Sequence, residues 1–150
     1  MDAFVISLPA GPDAHLPCMT ARLERLAQAG HQLAKAQTGA PSALSGRAAT
    51  AQADPWAAIG LTTLTNTAEL RARANAPEAS PLDLIVRLRA TEGPAFHGHL
   101  SGGFAVVLIN RQTGAVECYR DHFGIIPLYY CVQDGVLTCG SDMRLVLHLS

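Results

Sequence analysis

Arg120-Asp121-His122-Phe123-Gly124-Ile125-Ile126-Pro127-Leu128-Tyr129-Tyr130 sets a charged pair, a glycine turn and a proline-led apolar run in immediate succession. The stretch lies between other strand-like runs. Upstream, Phe104-Ala105-Val106-Val107-Leu108-Ile109 is almost uninterruptedly apolar, as expected of a strand buried on both faces. Asn110 to Gly114 turns it into Ala115-Val116-Glu117-Cys118-Tyr119 as a hairpin. Downstream, Pro127 to Val132 and Val136 to Cys139 make a second hairpin around Gln133-Asp134-Gly135, and Ser141-Asp142-Met143-Arg144 opens a capped helix. The last third is therefore expected to be a meander of strands.

Working outward, Ser80-Pro81 starts a helix with proline at its first position. Leu84, Ile85 and Leu88 form its apolar face, and Gly93-Pro94 ends it. Asn66 or Thr67 caps a short helix containing Glu69-Leu70-Arg71. Ala58 to Leu64 reads as a strand, as does Phe4-Val5-Ile6-Ser7-Leu8, which Pro9, Gly11 and Pro12 follow. The spacing of Leu23, Leu26, Ala27, Leu33 and Ala34 predicts a helix over residues 20–37, interrupted at Gly30. Residues 38–55 hold few large apolar side chains and are expected to be loops. Strands, two short helices and strands again give an α+β fold with a largely antiparallel sheet.

A chain of 150 residues suits one domain, 1–150. Eleven Lys and Arg against twelve Asp and Glu leave no basic surface for nucleic acid or for a membrane. The apolar runs fall short of the ~20 residues of a membrane span. Residues 1–10 lack the basic flank of a signal peptide. The expected location is cytoplasmic. Cys18, Cys118, Cys131 and Cys139 show no metal or redox spacing, which assigns them as reduced structural thiols. A disulfide between two of them is the alternative, disfavoured in a cytoplasmic chain. His97-Gly98-His99 sets two imidazoles on one side of an extended segment. With no third ligand nearby it is read as exposed loop rather than a metal site.

Gly93-Pro94-Ala95-Phe96, Leu100-Ser101-Gly102-Gly103-Phe104-Ala105, the Arg120–Tyr130 stretch and Ser141-Asp142-Met143-Arg144 together resemble the N-terminal domain of asparagine synthetases. The likeness is specific over residues 80–147, in order and spacing. Over 1–79 it rests on the first strand and on Thr65-Asn66 and Glu69-Leu70-Arg71. It implies the class II, N-terminal-nucleophile glutamine amidotransferase fold: an αββα sandwich of two antiparallel sheets between helix layers. The family's chemistry starts from an N-terminal Cys, whose thiolate attacks the glutamine amide with its own α-amine as base. An Asn and a Gly N–H hold the oxyanion, and an Arg and an acid hold the substrate's carboxylate and amine.

Carried over position by position, the resemblance puts Asp2 where the nucleophile belongs. Counting back from Glu69, the oxyanion positions fall on Leu61 and Thr62; counting back from Gly93, the acidic position falls on Pro81, with Asp83 matching a second acid. The family's Arg-Gly-Pro-Asp run is absent, and Gly11-Pro12-Asp13 comes too early to replace it. Arg120, Asp121, Gly124 and Pro127 match a segment that is architectural in the family, which implies that an Arg120–Asp121 ion pair and the Gly124 turn fix the meander here too. Ser101-Gly102-Gly103 lacks the Asp-Ser of the family's ATP loop and fits a strand start instead.

The resulting expectation is a non-catalytic glutaminase-like domain, a scaffold or docking module for an ATP-dependent asparagine-synthetase-like partner. β-Lactam synthetases and lasso-peptide cyclases are relatives that keep this fold without its Cys. ATP and Mg are expected only in that partner, supplied by a continuation of the chain or by a separate subunit. Two alternatives stand beside it. One is an active amidotransferase with Cys18 exposed by processing as nucleophile; the other is a domain reusing the old pocket for a small ligand.

Overall fold

The computed structural model describes residues 2–9, 32–33 and 42–149. Its strands are β1 (Ala3–Pro9), β2 (Gln32–Leu33), β3 (Ser42–Ser45), β4 (Ala49–Ala53), β5 (Trp56–Leu64), β6 (Gly102–Asn110), β7 (Val116–Arg120), β8 (Tyr129–Gln133) and β9 (Val136–Gly140). Its helices are α1 (Thr67–Arg73), α2 (Pro81–Glu92) and α3 (Met143–Leu149), with a 3-10 helix at Gly93–His99 between α2 and β6. One sheet runs β2-β3-β1-β9-β8 and the other β4-β5-β6-β7, and every pairing is antiparallel.

Period-two alternation sorts the side chains into three clusters. Phe4, Ile6 and Leu8 of β1 meet Ile59 and Leu61 of β5 and Ala105, Val107 and Ile109 of β6 between the sheets. The intervening residues turn outward. Trp56, Ala58, Val106 and Leu108 pack under Leu84, Ile85 and Leu88 of α2, while Val5 and Ala43 pack under Val146 and Leu149 of α3. The order is helix, sheet, sheet, helix: the expected α+β sandwich. β6 is buried on both faces, as its unbroken apolar run required.

Ser80 caps α2 through a reciprocal box, accepting the Asp83 N–H at 3.2 Å while Asp83 Oδ2 accepts the Ser80 N–H at 3.2 Å. Above the outer face of the second sheet, Arg89 forks onto Glu117 with two 2.7 Å bonds and stacks 4.1 Å over the Trp56 ring. No helix among the described residues is long and apolar enough to cross a membrane.

Four expectations are corrected. Residues 38–55 contain β3 and β4. Apart from Leu44 and Thr50, their Ala, Ser and Gln side chains carry little strand preference, so the ladders with β1 and β5 decide the conformation. Gln32–Leu33, placed in the 20–37 helix, pairs with β3 as a strand; the rest of that helix lies outside the described residues. The last third is not one meander, because the chain leaves the four-stranded sheet after β7 and enters the five-stranded sheet at β8. His97 and His99 lie in the 3-10 helix rather than an extended segment. His97 Nδ1 lies 2.7 Å from the Pro94 carbonyl and His99 faces Glu92 at 3.5 Å. No group of three or more His, Cys, Asp or Glu that could hold a metal forms among the described residues.

Candidate functional site

The crossover from β7 to β8 is built on Asp121, a carboxylate that is 3 % exposed. Its Oδ1 accepts the Ile125 N–H at 2.8 Å, and its Oδ2 accepts those of Ile126 at 3.1 Å and Phe104 at 3.3 Å. Burial alone would raise its pKa, but the N–H groups of Ile125, Ile126, Phe104 and Gly124 outweigh it and hold the carboxyl below its ordinary range. The expected Arg120–Asp121 ion pair does not form among the described residues. Neighbouring residues of an extended segment project to opposite sides, and Asp121 turns inward to collect backbone donors. Arg120 instead lies along Gly124, with its guanidinium carbon 3.5 Å from where a Cβ would sit; Gly124 has φ +66°, a left-handed conformation that favours glycine. Together these fix Ile125-Ile126-Pro127 as one wall of a pocket.

That pocket, of about 290 Å³, is lined by Asp2, Arg47, Leu61, Thr62, Thr63 and Ser141 as well. β1 places Asp2 there. Ala3 pairs with Ser45, and the Gly46-Arg47 turn that follows β3 brings Arg47 alongside Asp2. The Arg47 N–H donates to Asp2 Oδ1 at 3.0 Å and its Nε–H to Oδ2 at 2.5 Å. The guanidinium bond first, then the backbone N–H, hold the Asp2 carboxyl below its usual value, so it is an anion at neutral pH. Ser141 ties β1 to the segment after β9: its Oγ accepts the Phe4 N–H and its own N–H donates to the Phe4 carbonyl, both at 3.0 Å.

The structure thus brings together Asp2, Leu61, Thr62 and Pro127 from among the residues singled out in the sequence. Pro81 does not line this pocket; it opens α2 beside the Ser80–Asp83 box. Asp83 is occupied in that box. Cys18 lies outside the described residues. Sequence reasoning passed over Arg47, because it sits in a stretch read as loop. The signal was present in Ser45-Gly46-Arg47, a glycine turn between runs of small residues. Ser101-Gly102-Gly103 leads into β6, with Gly102 opposite Leu64 and Gly103 opposite Thr63, and the Asn66 side chain accepts the Ser101 N–H at 3.1 Å.

A family profile described as a glutamine amidotransferase domain matches residues 45–148. Asparagine synthetase B (glutamine-hydrolysing) of Escherichia coli is 38 % identical over 66 residues, 43 % of this chain and 12 % of that protein. Amidase chyE of Penicillium rubens is 32 % identical over 65 residues, again 43 % of this chain and 10 % of that protein. The matched stretch is thus a small fraction of either relative. In structure, the glutamine phosphoribosylpyrophosphate amidotransferase of B. subtilis superposes with a TM-score of 0.64 at 12 % identity, over 99 % of this chain and 43 % of that one. That likeness concerns the fold, an αββα sandwich reached with few shared residues. With the profile spanning more than two thirds of the sequence, this chain belongs to the glutamine amidotransferase domain family.

Proposed function

We propose that this glutamine amidotransferase domain does not cleave glutamine and acts as a docking module for an ATP-dependent, asparagine-synthetase-like amide-forming partner, of which a lasso-peptide macrolactam synthetase is one instance. The observation that carries the reading is the occupant of the pocket's Asp2 end. A carboxylate held ionised by Arg47 stands where the resemblance calls for a thiol. Leu61 and Thr62 stand where it calls for oxyanion donors. Such an anion attacks an amide poorly, and the base that a free α-amine gives a neighbouring thiol has no proton to remove from it.

Docking is supported by the apolar side chains left in solvent. Phe123 is 86 % exposed and Tyr130 75 %, with Ile125, Val132, Met143 and Leu147 each more than half exposed. Phe123 and Ile125 on the crossover and Tyr130 and Val132 on the edge strand that follows it offer an apolar surface suited to a protein partner. ATP and Mg would be bound by that partner.

The test is ammonia release from L-glutamine by the purified protein, with none expected above the uncatalysed rate. Release would overturn the proposal, and its loss in Cys18→Ala would assign the nucleophile to Cys18. A rise in melting temperature with an added amino acid or nucleotide would favour a ligand-binding pocket over a docking module.

A further inference from the structure

Cys118 and Cys139 come from opposite sheets and aim at each other. Cys118 stands opposite Val107 in the β6–β7 ladder, and Val107 projects into the core between the sheets. Cys139 stands opposite Ile6 in the β1–β9 ladder and is itself part of that core. Residues opposite one another in an antiparallel ladder share a face, so both thiols enter the same layer from its two sides. They come near enough there to act on each other: Cys139 lowers the pKa of the Cys118 thiol and Cys118 raises that of Cys139. Cys139 is fully buried, whereas Cys118 is exposed on the edge strand β7, where a small oxidant reaches it.

We propose that Cys118 and Cys139 are an oxidation site for hydroperoxides, closing to a reversible disulfide that staples the two sheets. The Cys118 thiolate attacks the peroxide; its S–O bond forms as the O–O bond breaks, and the departing oxygen leaves as water or alcohol with the proton Cys118 gave up. The Cys139 sulfur then attacks the sulfenic acid. The S–S bond forms, the S–O bond breaks, and the oxygen leaves as water with the Cys139 proton. Two thiols lose two electrons and one peroxide gains them. The interaction with Cys139 holds Cys118 below the usual thiol range, which favours the attacking thiolate at Cys118. β7 has no neighbour on its outer side among the described residues, which leaves it free to adjust to the separation a disulfide requires.

The site is independent of whether the domain cleaves glutamine. The experiment exposes the native protein to hydrogen peroxide, blocks remaining thiols in denaturant and maps tryptic peptides without reduction. Cys118 lies in peptide 112–120, while Cys131 and Cys139 share peptide 121–144. A Cys131→Ser variant therefore makes the partner unambiguous. We expect the four thiols of the wild type to fall to two, with 112–120 joined to 121–144 in wild type and in Cys131→Ser alike. Dithiothreitol should separate the peptides. Cys118→Ser, altered at an exposed position, should stay folded by circular dichroism and give no link. Recovery of 112–120 unlinked, with Cys118 intact or as sulfinic or sulfonic acid, would overturn the proposal. So would loss of the link in Cys131→Ser, or a link found only between two molecules.

Discussion

At the residue scale, Asp121 shows how one side chain shapes a site it does not enter. Its carboxylate is the acceptor for three backbone N–H groups of β6 and the crossover, so the pocket wall at Ile125 and Ile126 depends on it. Asp121→Ala leaves those donors buried and unpaired, and urea denaturation should show a loss of about 3 kcal/mol. The carboxyl is held below its ordinary value in the folded state. Its stabilising contribution is therefore fully present above the unfolded value of about 4 and is lost as pH falls through the folded value. Stability of wild type minus that of Asp121→Asn should accordingly be constant near neutrality and shrink below about pH 4; a difference that grew in acid would contradict this sign. Asp2 raises a separate question. Restoring a thiol by Asp2→Cys is expected to yield no ammonia from glutamine, because Leu61 and Thr62 still line the place of the oxyanion donors. Easy rescue by that single change would show that the donors are supplied some other way.

At the scale of elements, α2 carries the outer layer of the second sheet. Leu84, Ile85 and Leu88 are fully buried against Trp56, Ala58, Val106 and Leu108. Leu84→Ala should cost about 3 kcal/mol in chemical denaturation, through lost burial and the cavity left behind. The cap matters less: Ser80→Ala should cost about 1 kcal/mol. Arg89, Glu117 and Tyr119 join α2 to β7, and the Tyr119 hydroxyl donates to Glu117 at 2.9 Å. Because Arg89 is mostly shielded from solvent, a double-mutant cycle on Arg89 and Glu117 should give a coupling of about 1–2 kcal/mol, more than an exposed pair yields. α2 was legible in the sequence because its large apolar residues repeat with the helical period, and β5 and β6 because their apolar runs suit strands buried on both faces. β3 and β4 were not, since Ser, Ala, Thr and Gln carry no such period and become strands only when their partners are in place.

For the whole molecule, the apolar surface at Phe123, Tyr130 and Val132 should be dispensable for folding. Phe123→Ser and Val132→Ser should change the stability measured by urea denaturation by no more than about 0.5 kcal/mol, as exposed positions do, while lowering any self-association seen by light scattering. A large loss of stability would show that these side chains serve the fold rather than a partner. Sequence alone determined the fold class, the order of the α-helices and strands from Ala58 onward and the Arg120–Tyr130 signature, because each rests on local periodicity, turn chemistry or spacing along the chain. It also determined that Asp2 stands near the start of the first strand. Only the tertiary structure decided what Asp2 meets. Arg47 is 45 positions away and becomes its partner through the β1–β3 ladder. The same holds for the switch of sheets after β7 and for the meeting of Cys118 with Cys139. Contacts of that kind depend on which strands pair and which faces they turn inward, and those choices are made by burying the whole set of apolar faces at once.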